Sequence, residues 1–309
     1  MNEGMIGMTS SNRKPMLATS QLIKTMKSKG IVFNKVSTTK ARQILEHDNY
    51  YFELSLYADN FPKIKGQYQN LDFAYLVDVS SLDFHLREYL MQLCLDIEHR
   101  IKVKLMALIA NDPREDGYSI VQDFGRQNKF EYGKTMDHLK KSQYLQDLFQ
   151  PRSDQVSIWL FFEGTTFGTL VLFVDFYTKR TSSKVTRQIH NYLQYAKNIR
   201  NACAHNNPIL VNLFSDKTFL RKPAAPIRTA ARTLGISSQY LHDWKINDLV
   251  SLFYLHKLLR SQPLDAHRRQ TGDYLIERFN KHRDWYSDNV NMNTFKQILT
   301  VLIDYINNH

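Results

Sequence analysis

The residue types best suited to chemistry lie in one short stretch, Arg200-Asn201-Ala202-Cys203-Ala204-His205. Histidine can exchange a proton near neutral pH, and arginine carries a permanent charge that binds a phosphate through paired hydrogen bonds. Asn201 offers a donor and an acceptor that could orient either partner. Together these groups suit attack of an RNA 2′-hydroxyl on its own phosphodiester, which gives a cyclic phosphate and a free 5′-hydroxyl. Because the nucleophile belongs to the substrate, we expect no metal and no cofactor, and DNA should remain uncut.

The spacing between Arg200 and His205 does not by itself identify a site, because an arginine is followed by a histidine after four to six residues at two other places. These are Arg42 to His47 and Arg260 to His267. We interpret the first as structural, and the second is interrupted by a proline. For Arg200 and His205 the structural alternative is an arginine that binds an acid and a histidine that hydrogen-bonds the last carbonyls of a helix.

The geometry of a helix places Arg200 and His205 on different sides. Five residues correspond to about 500° of rotation, so the two side chains would point about 140° apart. One regular helix therefore cannot bring them together unless it frays before Pro208. Two copies of the motif that face each other across a two-fold axis would solve the problem, so we expect a homodimer with a composite site.

The positive charge of the chain is concentrated around this motif. The net charge is +11, and residues 177–309 alone contain 20 Lys and Arg against 9 Asp and Glu. Such a field attracts polyanions, and RNA is the leading candidate because phosphate neutralisation supplies affinity without sequence recognition. The alternative is a solvated surface that pairs with the acidic middle third of the chain. The predicted RNA-binding residues are Lys184, Arg187, Lys197, Lys217, Arg221 and Lys222.

Helical periodicity dominates the elements that must position these residues. The longest apolar face runs over residues 82–110, with Ser80 as its expected cap. A second amphipathic segment over 181–203 carries the motif and should break at Asn206-Asn207-Pro208. Residues 111–133 are typical of a polar loop. Shorter helices fit 17–29, 39–47, 134–150, 158–177 with an interruption over 164–168, 245–261, 271–286 and 293–307.

These patterns predict an all-α bundle with helical extensions at both ends. The expected division is an N-terminal helical segment over 1–78, a core that carries the motif over 79–262, and a C-terminal extension over 263–309. Glu98 and Arg100 on the long helix could support the motif from a neighbouring helix. His99 between them is more typical of a solvated helix residue, and Cys203 of a packing residue than of a nucleophile.

Several classes of protein lack support in the sequence. The chain contains no Gly-rich phosphate loop, no H-E-x-x-H helix and no Cys/His pair at zinc spacing. Its two cysteines favour a reducing, cytoplasmic setting. The N-terminus does not resemble a signal peptide, and the longest apolar stretch is interrupted by polar residues and glycines, so we expect no membrane span.

Several segments in a fixed order resemble the Abi (abortive infection) proteins of bacteria, the AbiF/AbiD type, within the HEPN ribonuclease superfamily. The specific segment is Ile199-Arg200-Asn201-Ala202-Cys203-Ala204-His205. The supporting segments are Lys14-Pro15, Lys29-Gly30, Asn49-Tyr50-Tyr51, Phe84-His85-Leu86-Arg87, Ile97-Glu98-His99-Arg100-Ile101-Lys102, Ile158-Trp159 and Phe167-Gly168-Thr169-Leu170.

This resemblance implies a HEPN-type helical bundle, commonly dimeric, that cleaves RNA without metal. It implies a toxin-like protein of phage defence, and some similar proteins are held in check by a small RNA. The motif match assigns catalysis to Arg200 and His205 and a supporting role to Asn201. The chain departs from the family after His205, where Asn206-Asn207 replaces the usual residues. A non-catalytic RNA-binding protein that forms a ribonucleoprotein with a small RNA is the main alternative, and a helical interaction scaffold is a third.

Overall fold

The structure is a computed structural model that describes residues 16–259 and 262–307, without the side chains of residues 262–266. The predicted all-α fold is confirmed, since the protein is 73% helical with almost no strand. Lys14-Pro15 and Arg260, which the sequence singled out, lie outside the described residues. No helix in the described ranges has the length and apolar character that a bilayer crossing requires.

The chain forms two compact units, Met1–Ser80 and Ser81–His309. The three-part division expected from the sequence stays a prediction. From residue 16 to the start of the longest helix, the first unit holds three short helices and a two-stranded antiparallel hairpin: α1 (Thr19–Ser28), α2 (Thr38–Gln43), α3 (Tyr51–Tyr57), β1 (Lys63–Ile64) and β2 (Gln67–Tyr68). A π-helical turn follows α2 (Ile44–Asp48), and a 3-10 turn follows α3 (Ala58–Asn60).

In the described part of the chain, the longest helix is followed by ten more helices. They are α4 (Phe73–Ala110), α5 (Ser119–Gln127), α6 (Lys129–Lys141), α7 (Gln146–Phe149), α8 (Ile158–Gly164), α9 (Phe167–Thr181), α10 (Lys184–Ala204), α11 (Ala225–Thr233), α12 (Trp244–Leu258), α13 (Gln262–Asn280) and α14 (Val290–Asn307). Single 3-10 turns lie at Gln150–Arg152, Asp216–Thr218, Ser238–His242 and Arg283–Tyr286.

The long helix α4 begins earlier than its apolar face predicts. The carboxylate of Asp72 accepts a hydrogen bond from the backbone N–H of Ala74 at 2.9 Å, so the first turn forms there. Ser80 lies inside the helix, and its hydroxyl bonds the Asn49 side chain at 3.1 Å. The expectation that Ser80 caps α4 is therefore wrong, because Asp72 satisfies the helix start and buried Leu76 extends the apolar face towards it.

Two further parts of the helix prediction are wrong. The stretch predicted as a polar loop contains α5, whose apolar residues Ile120, Val121 and Phe124 are buried. The helix expected over 134–150 is divided, because the backbone is extended at Ser142, with ψ of 124°. Local propensity does not predict helix α5 or the break at Ser142, because both depend on which side chains are buried in the folded protein.

The core of the second unit surrounds the helix that carries the motif. Helix α10 packs against α9 and α12, and its buried residues recur at steps of three and four: Ile189, Leu193, Ala196, Ile199 and Cys203. Helix α12 is buried over most of its length and also contacts α14 and α11. The motif therefore projects from a helix whose opposite face is fixed in the core.

Candidate functional site

The motif lies at the C-terminal end of α10, where the helix closes in a defined way. The backbone N–H of Asn207 donates to the carbonyl of Ala202 at 2.8 Å, and that of Asn206 donates to Cys203 at 3.2 Å. Asn206 has a left-handed φ of 54°. This pair of hydrogen bonds with a left-handed Asn is the Schellman ending, and Pro208 cannot continue the helix. His205 is thus the last residue before the chain reverses, in a fixed backbone conformation.

Arg200 lies one and a half turns before that end and is half-buried. Its Nη1 donates to Oδ1 of Asn201 at 3.5 Å, and its Nε is buried without a hydrogen-bond partner in the described part of the chain. Burial raises the pKa of the Cys94 thiol on α4, and the positive charge of Arg200 opposes that rise. The guanidinium therefore lies close to α4 and retains an unused donor.

The side chain of His205 differs from that of Arg200 in its exposure and in its contacts. Its side chain is exposed, and it makes no hydrogen bond or ion pair with any residue that the structure describes. Its backbone N–H donates to the carbonyl of Asn201 at 3.0 Å. Arg200 and Asn201 are brought together by their side chains, and His205 is joined to them only through the backbone.

Cys203 is a packing residue, in agreement with the sequence. It is buried and free, and burial raises the pKa of its thiol to about 12. A thiol with so high a pKa is not a nucleophile at neutral pH. In the described residues, no group of histidine, cysteine and acidic side chains is arranged to hold a metal ion.

A buried ionic cluster, which the sequence did not reveal, holds the chain directly after the motif. Oδ1 of Asp83 on α4 accepts hydrogen bonds from the backbone N–H groups of Ile209 and Leu210 at 2.8 and 2.6 Å. Arg87, one turn along α4, pairs with Asp83. The carboxylate thus accepts hydrogen bonds from two successive backbone N–H groups, as an aspartate does when it caps the start of a helix.

Lys245 completes this cluster from α12. Its Nζ donates to the carbonyl of Ile209 at 2.9 Å and also to that of Val211. Burial lowers the pKa of Lys245 to about 8, while Asp243 and Asp83 act in the opposite direction. Residues 209–211 are therefore held from α4 and from α12, and this fixes the position of His205 a few residues earlier.

A pocket of about 290 Å³ lies between the end of α10 and the start of α12. Asn198, Asn201 and Asn207 line it together with Trp244, whose side chain is 41% exposed. Below it, Nδ2 of Asn198 donates to Oδ2 of Asp248 at 3.0 Å. Burial raises the pKa of Asp248 to about 7, although the hydrogen bonds from Asn198 and Asn247 lower it.

The supporting residues expected on α4 have other contacts. Glu98 pairs with Lys102 at 3.0 Å, and Nη1 of Arg100 donates to the carbonyl of His256 at 3.3 Å. His99 is exposed, and with Arg100 it lines a separate groove of about 420 Å³ beside the N-terminal half of α10. A role of Glu98 or Arg100 towards the motif stays a prediction.

The predicted RNA-binding residues lie on two parts of the surface. Lys184 and Arg187 are exposed at the first turns of α10, and Lys197 is half-buried one turn before Arg200. A lysine in the first turn of a helix interacts unfavourably with the positive end of the helix dipole, so this interaction does not make Lys184 a stabilising residue of α10. The other three predicted residues are exposed in the loop that follows the motif; they are Lys217, Arg221 and Lys222. Nζ of Lys217 donates a hydrogen bond to Oδ1 of Asn212.

The basic segment is not uniform, however. Lys179 pairs with Asp175 at 2.7 Å. Arg180 pairs with Glu115 and Asp123 at 2.6 and 2.9 Å. The alternative in which basic residues pair with the acidic middle third therefore describes Lys179 and Arg180. Among the described residues, no acid forms an ion pair with Lys184 or Arg187.

Two other histidines, His47 and His256, have different surroundings. Arg42 and His47 are both exposed, on α2 and on the π-helical turn after it. His256 is 1% exposed and contacts Asp96 at 3.1 Å, an arrangement closed to a substrate. At the end of α10, by contrast, an arginine with an unused donor and an exposed histidine belong to one motif.

The fold and this helix end define an all-helical protein with an Arg-Asn-x-x-x-His motif at the close of a core helix. The chain belongs to the family described as Abi-like protein, whose sequence model matches residues 43–210 and so includes the whole motif. Family membership suggests a role in abortive infection, a form of phage defence. No curated protein and no solved structure matches the chain significantly.

Proposed function

We propose that this protein is a metal-independent endoribonuclease of the HEPN superfamily, related to the AbiF/AbiD type, that acts as a toxin-like effector in phage defence. The observation that carries the proposal is the end of α10, where Arg200 keeps an unused buried donor and His205 is exposed. Membership of the Abi-like family supports the biological role.

The reaction assigns a role to each residue of the motif. The substrate's 2′-oxygen attacks phosphorus as its proton passes to a base, and the P–O5′ bond breaks as the 5′-oxygen receives a proton. The products are a 2′,3′-cyclic phosphate and a 5′-hydroxyl. His205 acts as acid or base, Arg200 binds the non-bridging oxygens whose charge grows in the transition state, and Asn201 orients Arg200.

The complete site would be formed by two protomers. Arg200 is half-buried and bonds Asn201, whereas His205 is exposed at the helix end, and no hydrogen bond joins the two side chains in the described part of the chain. A second copy related by a two-fold axis would place its own His205 opposite Arg200. This arrangement would also explain why the His205 side chain makes no hydrogen bond or ion pair with the described residues of its own chain.

RNA would be held by the exposed cations on both sides of the motif. Lys184 and Arg187 at the start of α10, and Arg221 and Lys222 in the following loop, would contact phosphates. An inhibitory small RNA, which the resemblance implies, would compete for the same residues.

Expression in bacteria tests the proposal. Wild-type protein should halt growth and fragment cellular RNA, and Arg200→Ala and His205→Ala should do neither at equal protein level. The matched control is His99→Ala, which removes another exposed histidine and should behave as wild type. Equal toxicity and equal RNA integrity in all four strains would overturn the proposal.

The second candidate is a non-catalytic RNA-binding protein, which the exposed cations Lys184 and Arg187 favour independently of the motif. It predicts that RNA copurifies uncut with the wild-type protein and with His205→Ala to the same extent. Fragments that end in cyclic phosphate, and that disappear with His205→Ala, would exclude it.

A further inference from the structure

We infer that the pocket between the end of α10 and the start of α12 binds one unpaired RNA base next to the bond that is cut, with Trp244 as the stacking surface. This inference rests on the proposed function and specifies its substrate as single-stranded RNA. Three observations carry it: the exposed tryptophan, the asparagine side chains in a largely apolar lining, and the position of the pocket against the motif.

The exposure of Trp244 is unusual for its helix. It is the first residue of α12, and residues 245–253 that follow are all buried, whereas the Trp244 side chain is 41% exposed. Its backbone is fixed, since Asp243 caps the helix through Lys245 N–H at 2.8 Å and also binds Phe214 N–H at 2.8 Å. An exposed aromatic ring on a fixed backbone is the kind of surface on which proteins stack unpaired bases.

The lining supplies neutral groups that can read the edge of a base. Asn207 is exposed, and its amide side chain has no hydrogen bond among the described residues. Asn198 donates from Nδ2 to Asp248, which leaves its Oδ1 available as an acceptor. Amides present a donor and an acceptor side by side, as the edges of bases do.

The size of the pocket suits a single ring system. Its volume of about 290 Å³ lies just below the range of pockets that enclose drug-sized ligands. Ala202 on its wall has a small side chain and belongs to the motif itself. A base held there would place the adjoining phosphodiester beside Asn201, which already binds the Arg200 guanidinium.

The test compares two exposed tryptophans. In the His205→Ala background, we would measure the affinity for a short single-stranded RNA of mixed sequence after Trp244→Ala, Trp244→Phe and Trp159→Ala. Trp159 is 49% exposed on α8 and is not part of the pocket lining, so it is the matched control. Loss of one stacked base should weaken binding about tenfold in Trp244→Ala, and Trp244→Phe and Trp159→Ala should stay within about twofold.

Cleavage provides the second measurement. In otherwise wild-type protein, sequencing of the new 5′-hydroxyl ends should show that Trp244→Ala loses the preference for particular bases beside the cut, whereas Trp159→Ala keeps it. Unchanged affinity and unchanged cleavage sites in Trp244→Ala would overturn the inference and leave the nuclease proposal intact. Absence of cleavage by wild-type protein would instead refute the proposed function, and the binding series would then report on the pocket alone.

Discussion

Asp83 and Ile209, which are 126 residues apart in sequence, are joined by a hydrogen bond of 2.8 Å between the Asp83 carboxylate and the Ile209 backbone amide. This contact fixes the chain at the point where it leaves the motif helix. The same carboxylate also receives the N–H of Leu210 and pairs with Arg87. The position of His205 therefore depends on a buried charge in a different helix.

Replacing Asp83 should destabilise the protein strongly. Asp83→Ala leaves the buried Arg87 without its carboxylate and two backbone amides without an acceptor, so the free energy of unfolding should fall by about 3 kcal/mol or more. Chemical denaturation measures the loss. The control Asp137→Ala removes an exposed carboxylate paired with Lys141 and should change the free energy by less than about 0.5 kcal/mol. Equal losses in the two variants would contradict the structural role of Asp83.

The raised pKa of the buried Asp248 carboxyl should make the stability of the protein depend on pH. Burial raises the pKa of its carboxyl to about 7 in the folded protein, above the unfolded value of 3.8. The folded state then binds more protons between these values, so this group makes stability fall as pH rises from about 4 to 7. Asp248→Asn should remove that part of the pH dependence and should stabilise the protein at pH 8 relative to wild type.

The measurement for Asp248 is the free energy of unfolding at pH 5 and pH 8. The difference between the two pH values should be smaller in Asp248→Asn than in wild type, with Asp137→Asn as a control for removal of an exposed carboxylate. Parallel curves for wild type and Asp248→Asn would show that Asp248 keeps an ordinary pKa.

Salt dependence distinguishes the cations that bind RNA from those that serve the fold. Each lysine or arginine that contacts a phosphate of a single strand contributes about 0.7 to the slope of log affinity against log salt. Lys184→Ala with Arg187→Ala should therefore reduce the slope by about 1.4. Lys179→Ala is the control, because Lys179 already pairs with Asp175. An unchanged slope in the double variant would show that Lys184 and Arg187, at the start of α10, do not contact RNA phosphates.

Mixed dimers test whether two protomers share one site. Arg200→Ala and His205→Ala should each be inactive alone, but coexpression should restore about a quarter of the wild-type activity, since half of the dimers are mixed and each mixed dimer has one intact composite site. Size measurement of the purified protein checks that dimers form. If the mixture stays inactive although mixed dimers are recovered, each protomer must hold its own complete site.

The sequence predicts the motif helix well and its surroundings poorly. The amphipathic repeat through Ile189 and Ile199, and the stop at Pro208, are local signals, and α10 follows them closely. The contacts of Asp83 and Lys245 with residues 209–211 join separate elements, and no local pattern encodes them. Trp244 was not identified as a site residue because its exposure depends on how α12 begins beside α10.

Cleavage of an RNA oligonucleotide by purified protein, with and without a single 2′-deoxy nucleotide at the cleaved position, tests directly whether the protein cuts RNA by 2′-hydroxyl attack. Wild type and His99→Ala should cut the all-RNA strand, leave 2′,3′-cyclic phosphate and 5′-hydroxyl ends, and fail on the strand that lacks the one 2′-hydroxyl. His205→Ala should cut neither strand. Cleavage of the deoxy-substituted strand at the same position would show that the 2′-hydroxyl is not the nucleophile, and undiminished cleavage by His205→Ala would show that His205 is not catalytic.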